Sequence, residues 1–92
     1  MQEGFQRLES EHPHEVIKQV NAMAAALDLA GGFRFSIAQK NFASVIEIES
    51  GELTPLILQQ LHALALGDTN TNTEVDKRTN TITVELAEHR IH

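Results

Sequence analysis

Residues 33–49 read FRFSIAQKNFASVIEIE, and apolar side chains recur in this stretch at every second position. A period of two is typical of a β-strand with one face on a core and the other toward solvent. The polar segment 39–41 interrupts the alternation, so we expect two antiparallel strands joined by a turn. In the second strand the register places Glu47 and Glu49 on the solvent face, opposite the two isoleucines.

A helix is predicted on each side of this hairpin. Residues 13–30 repeat apolar side chains at three- and four-residue steps, and Gly31 and Gly32 supply the backbone freedom that commonly ends a helix. The second helix is predicted over residues 54–67, because a threonine followed by proline is a typical helix start. Each helix has one apolar stripe, which must pack on the apolar face of the strands.

Residues 81–91, TITVELAEHRI, alternate again and predict a third strand. Residues 68–80 are rich in turn formers and have Val75 as their one apolar anchor, so they form a long loop or a hairpin of their own. The predicted order is α-β-β-α-β: an α+β, two-layer domain whose three-stranded, mainly antiparallel sheet has both helices on one face. A right-handed crossover through the second helix would set the third strand parallel to the second, but the sheet order stays open. We expect a flexible N-terminal arm at residues 1–12 and a single domain over residues 13–92.

The net charge of −6 arises entirely between residues 41 and 76. This stretch has no Lys or Arg, whereas the rest of the chain has seven acids and seven bases. A one-signed surface attracts basic partners. We therefore take the acids of this stretch as candidate partner-binding residues, although they also fit a surface that is simply kept soluble. They are Glu47, Glu49, Glu52, Asp68, Glu74 and Asp76.

Length and composition exclude several classes of protein. The chain has 92 residues and no cysteine, which excludes disulfides, thiolate metal sites and iron–sulfur clusters, and favours a reducing cytoplasm. A chain of this size buries a modest core and has no room for a large cofactor, so we predict none. Residues 1–14 are polar and no apolar run approaches the length of a membrane span, so neither a signal peptide nor membrane insertion is expected. Self-association would bury further apolar area, and we predict it.

Two groups of residues have side chains that can bind metals, the histidines and the oxygen-bearing residues of the loop 68–79, but neither has the spacing of a metal site. Four of the five histidines lie near the two ends of the chain, at spacings that do not hold ligands to a metal's geometry. They are His12, His14, His89 and His92. The loop DTNTNTEVDKRT places oxygen side chains at alternate positions, but Thr73 stands where a calcium loop needs glycine and Thr79 where it needs glutamate. We predict no metal site.

No residue set indicates catalysis. Ser36, Ser44 and Ser50 lie on or near the hairpin, without a nucleophile elbow or a nearby histidine in sequence. Glu47 and Glu49 are spaced as some glycosidase carboxylates are, but such a pair needs a cleft. The sequence therefore predicts a protein that is not an enzyme.

Three hypotheses for function remain. The first is a non-enzymatic module whose acidic face binds a basic surface of a nucleic-acid-handling protein or complex and inhibits or regulates it. In size and acidity the chain is similar to small phage-encoded inhibitors, anti-CRISPR proteins among them, a likeness of composition that involves no motif. The second is a self-assembling structural or interaction domain. The third is direct nucleic-acid binding, which requires that the chain's bases cluster. The residues for that third hypothesis are Arg34, Lys40, Lys77, Arg78 and Arg90.

Overall fold

The computed structural model describes residues 14–40 and 43–87, which form two helices and four strands. The α+β class and the antiparallel sheet are confirmed, but the prediction of three strands is wrong, because the sheet has four and the order is α-β-β-α-β-β. The elements are α1 (His14–Ala30), β1 (Arg34–Lys40), β2 (Ala43–Ser50), α2 (Pro55–Leu66), β3 (Thr71–Asp76) and β4 (Thr81–Leu86).

The sheet has the order β1-β2-β4-β3, and each neighbouring pair is antiparallel. The final strand, β4, lies beside β2 and antiparallel to it, so a last strand parallel to β2 and next to β1 is not found. The extra strand, β3, comes from residues 68–80 and pairs with β4 through a tight turn. Neither prediction for this segment holds as made: residues 71–76 form one strand, whose hairpin partner is the predicted third strand and not a second strand within residues 68–80. Thr71, Thr73 and Val75 share the helix side of β3, and β-branched residues at a period of two favour a strand.

Both helices pack on the same face of the sheet. The core combines the buried stripe of α1 with Leu61 of α2 and the helix-facing residues of β2 and β4. The fully or almost fully buried apolar side chains are Val16, Val20, Met23, Leu27, Ile46, Ile48, Leu53, Leu61, Ile82 and Val84. Burying a side chain of this size stabilises the fold by about 1.5–3 kcal/mol, so this layer supplies most of the stability.

Local signals at the helix ends act as the sequence predicts. The hydroxyl of Thr54 accepts a hydrogen bond from the backbone N–H of Ile57 at 3.4 Å, and Pro55 begins α2. Gly31 follows the last residue of α1 and has φ +83°, a backbone conformation that ends the helix. Its N–H donates to the carbonyl of Leu27. The side chain of Gln19 donates to the Leu64 carbonyl at 3.1 Å and ties the two helices together.

Several predictions fall outside the described residues. These are the N-terminal arm over residues 1–12, the histidines His12, His89 and His92, and Arg90. Within residues 14–40 and 43–87, neither helix is long and apolar enough to cross a membrane.

Candidate partner-binding surface

One face of the sheet is covered by the helices, and the opposite face, here called the open sheet face, carries the alternate residues of all four strands. Antiparallel pairing aligns these residues in three rows across the sheet. The first row is Ser36, Glu47, Thr81 and Asp76; the second is Ala38, Val45, Thr83 and Glu74; the third is Lys40, Ala43, Glu85 and Asn72.

The middle of the open sheet face is flat and weakly polar. Ala38, Val45 and Thr83 occupy neighbouring positions in the second row, and each is partly buried although no helix covers it. Small and β-branched side chains leave a shallow surface that a partner can approach closely. Charged side chains stand around this middle rather than within it.

Four carboxylates and one ammonium group lie within these three rows, which gives the rows a charge of −3; Arg34 precedes the first row on β1. Glu47 lies on a central strand, Glu85 on the other central strand, and Glu74 and Asp76 on the edge strand β3. Glu47 and Asp76 share a row but are separated by β4, a distance of about 10 Å at the usual strand spacing. Folding therefore brings together acids that are 38 residues apart in the sequence, counted from Glu47 to Glu85.

Lys40 offsets part of this charge. Its Nζ lies 3.9 Å from Oε2 of Glu47, and both side chains are about half exposed. A solvent-exposed pair at this distance contributes roughly 0–1 kcal/mol and is screened by salt. Glu47 thus stays available to a second cation, while Glu74, Asp76 and Glu85 have no salt bridge to any described residue.

Asp76 also has a structural role at the edge of the face. Its Oδ1 accepts hydrogen bonds from the backbone N–H groups of Arg78, at 3.0 Å, and Thr79, at 3.4 Å. These bonds hold the turn between β3 and β4, in which Asn80 has φ +57°. A substitution at Asp76 would therefore destabilise this turn as well as change the surface charge.

The other three predicted acids are not part of the three rows. Glu49 is exposed at the end of β2, where the register with β1 shifts, and Glu52 is exposed in the loop before α2. Asp68 lies after α2, where its two carboxylate oxygens accept hydrogen bonds from the Asn70 N–H at 2.9 Å and the Thr71 hydroxyl at 3.1 Å. These bonds explain an anion near a helix C-terminus, because the carboxylate organises the turn into β3.

Glu85 is the acid of this face that the sequence analysis did not include. It lies outside the basic-free stretch, so a search by charge alone passes over it. The alternation in TITVEL was sufficient to find it, because a strand that buries Ile82 and Val84 must turn Glu85 to the other face.

The basic residues do not form one cluster around the β1–β2 turn. Lys40 lies at the end of β1 nearest that turn, whereas Arg34 lies at the opposite end, about 20 Å away at the usual strand rise. Lys77 and Arg78 lie in the β3–β4 turn, which is at the same end of the sheet as Arg34. Three bases at that end of the sheet, with Glu49 at the end of β2 and Glu52 in the following loop, are what the structure offers for nucleic acid.

The described residues offer little support for other chemistry. They contain no group of three or more metal-ligating side chains, and the alternate oxygens of residues 68–76 are spread along a turn and a strand instead of surrounding one point. Ser44 is completely buried on the helix side of β2, and Ser36 is exposed on the open sheet face.

A groove of about 580 Å³ lies between the N-terminal half of α1 and the C-terminal end of α2. Lys18, Gln19 and Asp68 are among the side chains that line it, and Asp68 is already bonded within its turn. Glu47 and Glu49 lie on the sheet and not in this groove. This groove is therefore not a cleft for the carboxylate pair considered for glycoside hydrolysis.

No protein-family model matches this chain, and the searches of curated proteins and of solved structures also found no match.

Proposed function

We propose that this protein is a non-enzymatic binding module whose open sheet face docks on a basic surface of a nucleic-acid-handling protein or complex, and that it inhibits or regulates that partner. The observation that supports this is the convergence of Glu47, Glu74, Asp76 and Glu85 on one helix-free face. Carboxylates held by a sheet are pre-organised, which reduces the entropy lost on binding.

The spacing of the carboxylates suits a basic groove. Rows on a sheet repeat at about 6–7 Å along a strand, the distance between alternate residues, which is of the same order as the spacing of phosphates along a nucleic-acid strand. Basic grooves that accept phosphates attract such an array electrostatically, and the attraction raises the association rate more than the final affinity. The module would then compete with nucleic acid for the partner.

Charge reversal on the open sheet face tests the proposal. The wild-type protein is immobilised and used to retain purified nucleic-acid-processing complexes, with single- and double-stranded oligonucleotides as competitors. We expect Glu47→Lys with Glu85→Lys to lower retention at least tenfold, and the oligonucleotides to displace the partner from the wild type. The double variant avoids Asp76, whose carboxylate also holds a turn.

The control makes the same change of charge elsewhere. Glu15 and Asp28 are exposed on α1, on the other side of the molecule, so Glu15→Lys with Asp28→Lys alters net charge equally without touching the open sheet face. Retention that falls equally in both double variants would assign binding to net charge alone. Retention unchanged in the sheet variant would overturn the proposal.

Self-assembly is a second candidate function, favoured by the two edge strands. Within the described residues, β1 and β3 each pair on one side only. An edge with free N–H and carbonyl groups is a template for pairing with another chain. This function uses the edges of the sheet, whereas the first uses its open face.

A further inference from the structure

The two edges of the sheet carry opposite charge. β1 contains Arg34 and Lys40 and no acid, whereas β3 contains Glu74 and Asp76 and no base. We propose that copies of this chain assemble head to tail, with β1 of one copy pairing antiparallel with β3 of the next, so that one sheet continues across the interface. The proposal rests on the second candidate function, self-assembly, and is independent of binding to a basic partner.

The direction of the strands permits this arrangement without rotation. All neighbouring strands are antiparallel in the order β1-β2-β4-β3, so β1 and β3 of one copy run in opposite directions. A second copy placed alongside in the same orientation therefore presents its β1 antiparallel to β3 of the first. Such a contact joins two different surfaces, leaves one edge free at each end, and adds further copies in the same way.

The backbone groups that point outward match between the edges. The N–H of Ile48 bonds to the carbonyl of Asn80, so even-numbered residues of β2 bond toward β4 and odd-numbered ones toward β1. Their β1 partners are even-numbered, which leaves Phe35, Ile37 and Gln39 with peptide groups directed away from the sheet.

The same reasoning applies to β3. The N–H of Ala87 bonds to the carbonyl of Asn70, so even-numbered residues of this strand bond toward β4. The odd-numbered residues Thr71, Thr73 and Val75 then present their peptide groups outward. In both edge strands the residues with outward peptide groups are odd-numbered, and their side chains lie on the helix side. A register that pairs odd with odd residues therefore forms the hydrogen bonds and also keeps the side chains of both strands on matching faces.

The register that overlaps the strands fully also pairs suitable side chains. It places residues 34–40 opposite residues 76–70 of the neighbour. Arg34 then lies opposite Asp76 and diagonal to Glu74, within reach of a long side chain. On the helix side Phe35 lies opposite Val75, and pairs of an aromatic with a β-branched residue stabilise a sheet.

Pairing of two identical edges is less favourable. Two β1 strands aligned antiparallel over residues 34–40 would oppose Arg34 to Lys40, and two β3 strands would bring together the acids of each copy. Like charges directly opposite destabilise a strand pair. Charge therefore selects the contact between unlike edges.

The helix layer supports the same contact. α1 packs over β2, β4 and β3, and α2 packs over β3, which leaves much of the helix side of β1 uncovered, with Ile37 42% exposed and Phe35 half-buried. In the assembly, α2 of the preceding copy would lie beside this uncovered strip. α2 has no charged residue and exposes Leu56 and Leu66, so its flank can be buried without desolvating a charge.

Two single-edge variants and their mixture test the proposal. Ile37→Pro disables β1, and Thr73→Pro disables β3, in each case by removing an N–H that points outward instead of one that bonds within the sheet. By sedimentation equilibrium we expect the average mass of the wild type to rise with concentration above one chain of 10.2 kDa. We expect each variant alone to remain at one chain, and their equimolar mixture to reach two chains and no more, because one intact β3 meets one intact β1.

The other outcomes are informative in different ways. A wild type that remains a monomer would overturn both this interface and self-assembly, and would leave binding of a basic partner untouched. Variants that both still associate would overturn the edge contact alone and assign assembly to another surface, such as the exposed face of α2. Circular dichroism checks that the variants fold. Should a proline variant fail to fold, Arg34→Glu and Glu74→Lys replace the pair: each alone should associate less than the wild type, and their mixture should regain association without stopping at two chains, because the two changed edges are again opposite in charge. A mixture that associates no more than either variant alone would overturn the edge contact.

Discussion

The two faces of the sheet alternate residue by residue along the same strands, yet they differ in every property that matters for function. On the helix side of β4, Ile82 and Val84 are completely buried, whereas Thr83 between them lies on the open sheet face. Both faces carry β-branched residues, so strand propensity does not separate them. The helices separate the two faces, because the face that they cover supplies the stability and the open sheet face is free to carry charge.

We expect the largest effect from a substitution at the centre of the covered face, which is the face of the sheet on which the helices pack. Ile82→Ala removes a fully buried side chain from a core formed by both helices, and we expect a loss of about 2–5 kcal/mol in the free energy of unfolding. Thr83→Ala, one residue away on the open sheet face, should cost less than about 1 kcal/mol. Urea unfolding of both variants measures the difference. Equal losses would mean that the two faces contribute alike to stability.

Two glycines differ in what an added side chain would meet: a ring that packs against the core, or open space. Gly51 has φ +119°, and a Cβ there would overlap the Phe33 ring, which packs against the core; Gly31 has φ +83° with no atom nearby. Left-handed backbone alone costs a non-glycine residue about 1–2 kcal/mol, so Gly31→Ala should lose about that much. We expect Gly51→Ala to lose at least about 1 kcal/mol more, because the ring must move. Thermal unfolding of the two variants gives the ranking, and the reverse order would contradict it.

A smaller effect concerns polar atoms within the covered face. Thr71 and Thr73 lie two residues apart on the same side of β3, but the Thr71 hydroxyl donates to Asp68, whereas the buried Thr73 hydroxyl has no hydrogen-bond partner among the described residues. Replacement by valine conserves the shape. We expect Thr71→Val to cost about 1.5–3 kcal/mol, since the bond involves a carboxylate, and Thr73→Val to be neutral or stabilising. Denaturant midpoints distinguish the two, and a loss at Thr73 as large as at Thr71 would show that its hydroxyl is satisfied.

The smallest expected effect on stability is on the open sheet face. Lys40→Ala removes a half-exposed ion pair with Glu47, and we expect a change of less than about 0.5 kcal/mol at moderate salt. The same substitution makes the face more negative by one charge, so binding to a basic partner should strengthen and depend more steeply on salt. A large loss of stability with unchanged binding would reverse the roles assigned to the two faces.

Much of the helix and hairpin structure was predictable because it depends on local pattern. The periods of α1 and α2, the Thr54–Pro55 start and the register that exposes Glu47 all follow from neighbouring residues. The strand β3 was harder to identify, because its sequence TNTEVD combines turn formers with a single aliphatic residue. Its signal, β-branched residues at alternate positions, is weak until β4 is present to pair with it.

The candidate surface was predictable only in part. The sequence by itself determined the net charge, the solvent-facing position of Glu47 and the absence of cysteine chemistry, because these need only composition and a period of two. Tertiary structure alone decided that β4 pairs with β2, which places Glu85 on the same face as Glu47 but two rows away, and that Asp68 is used in a turn. The physical reason is that local periodicity sets which side of a strand a residue occupies, whereas the neighbour of that strand depends on packing between segments distant in the chain.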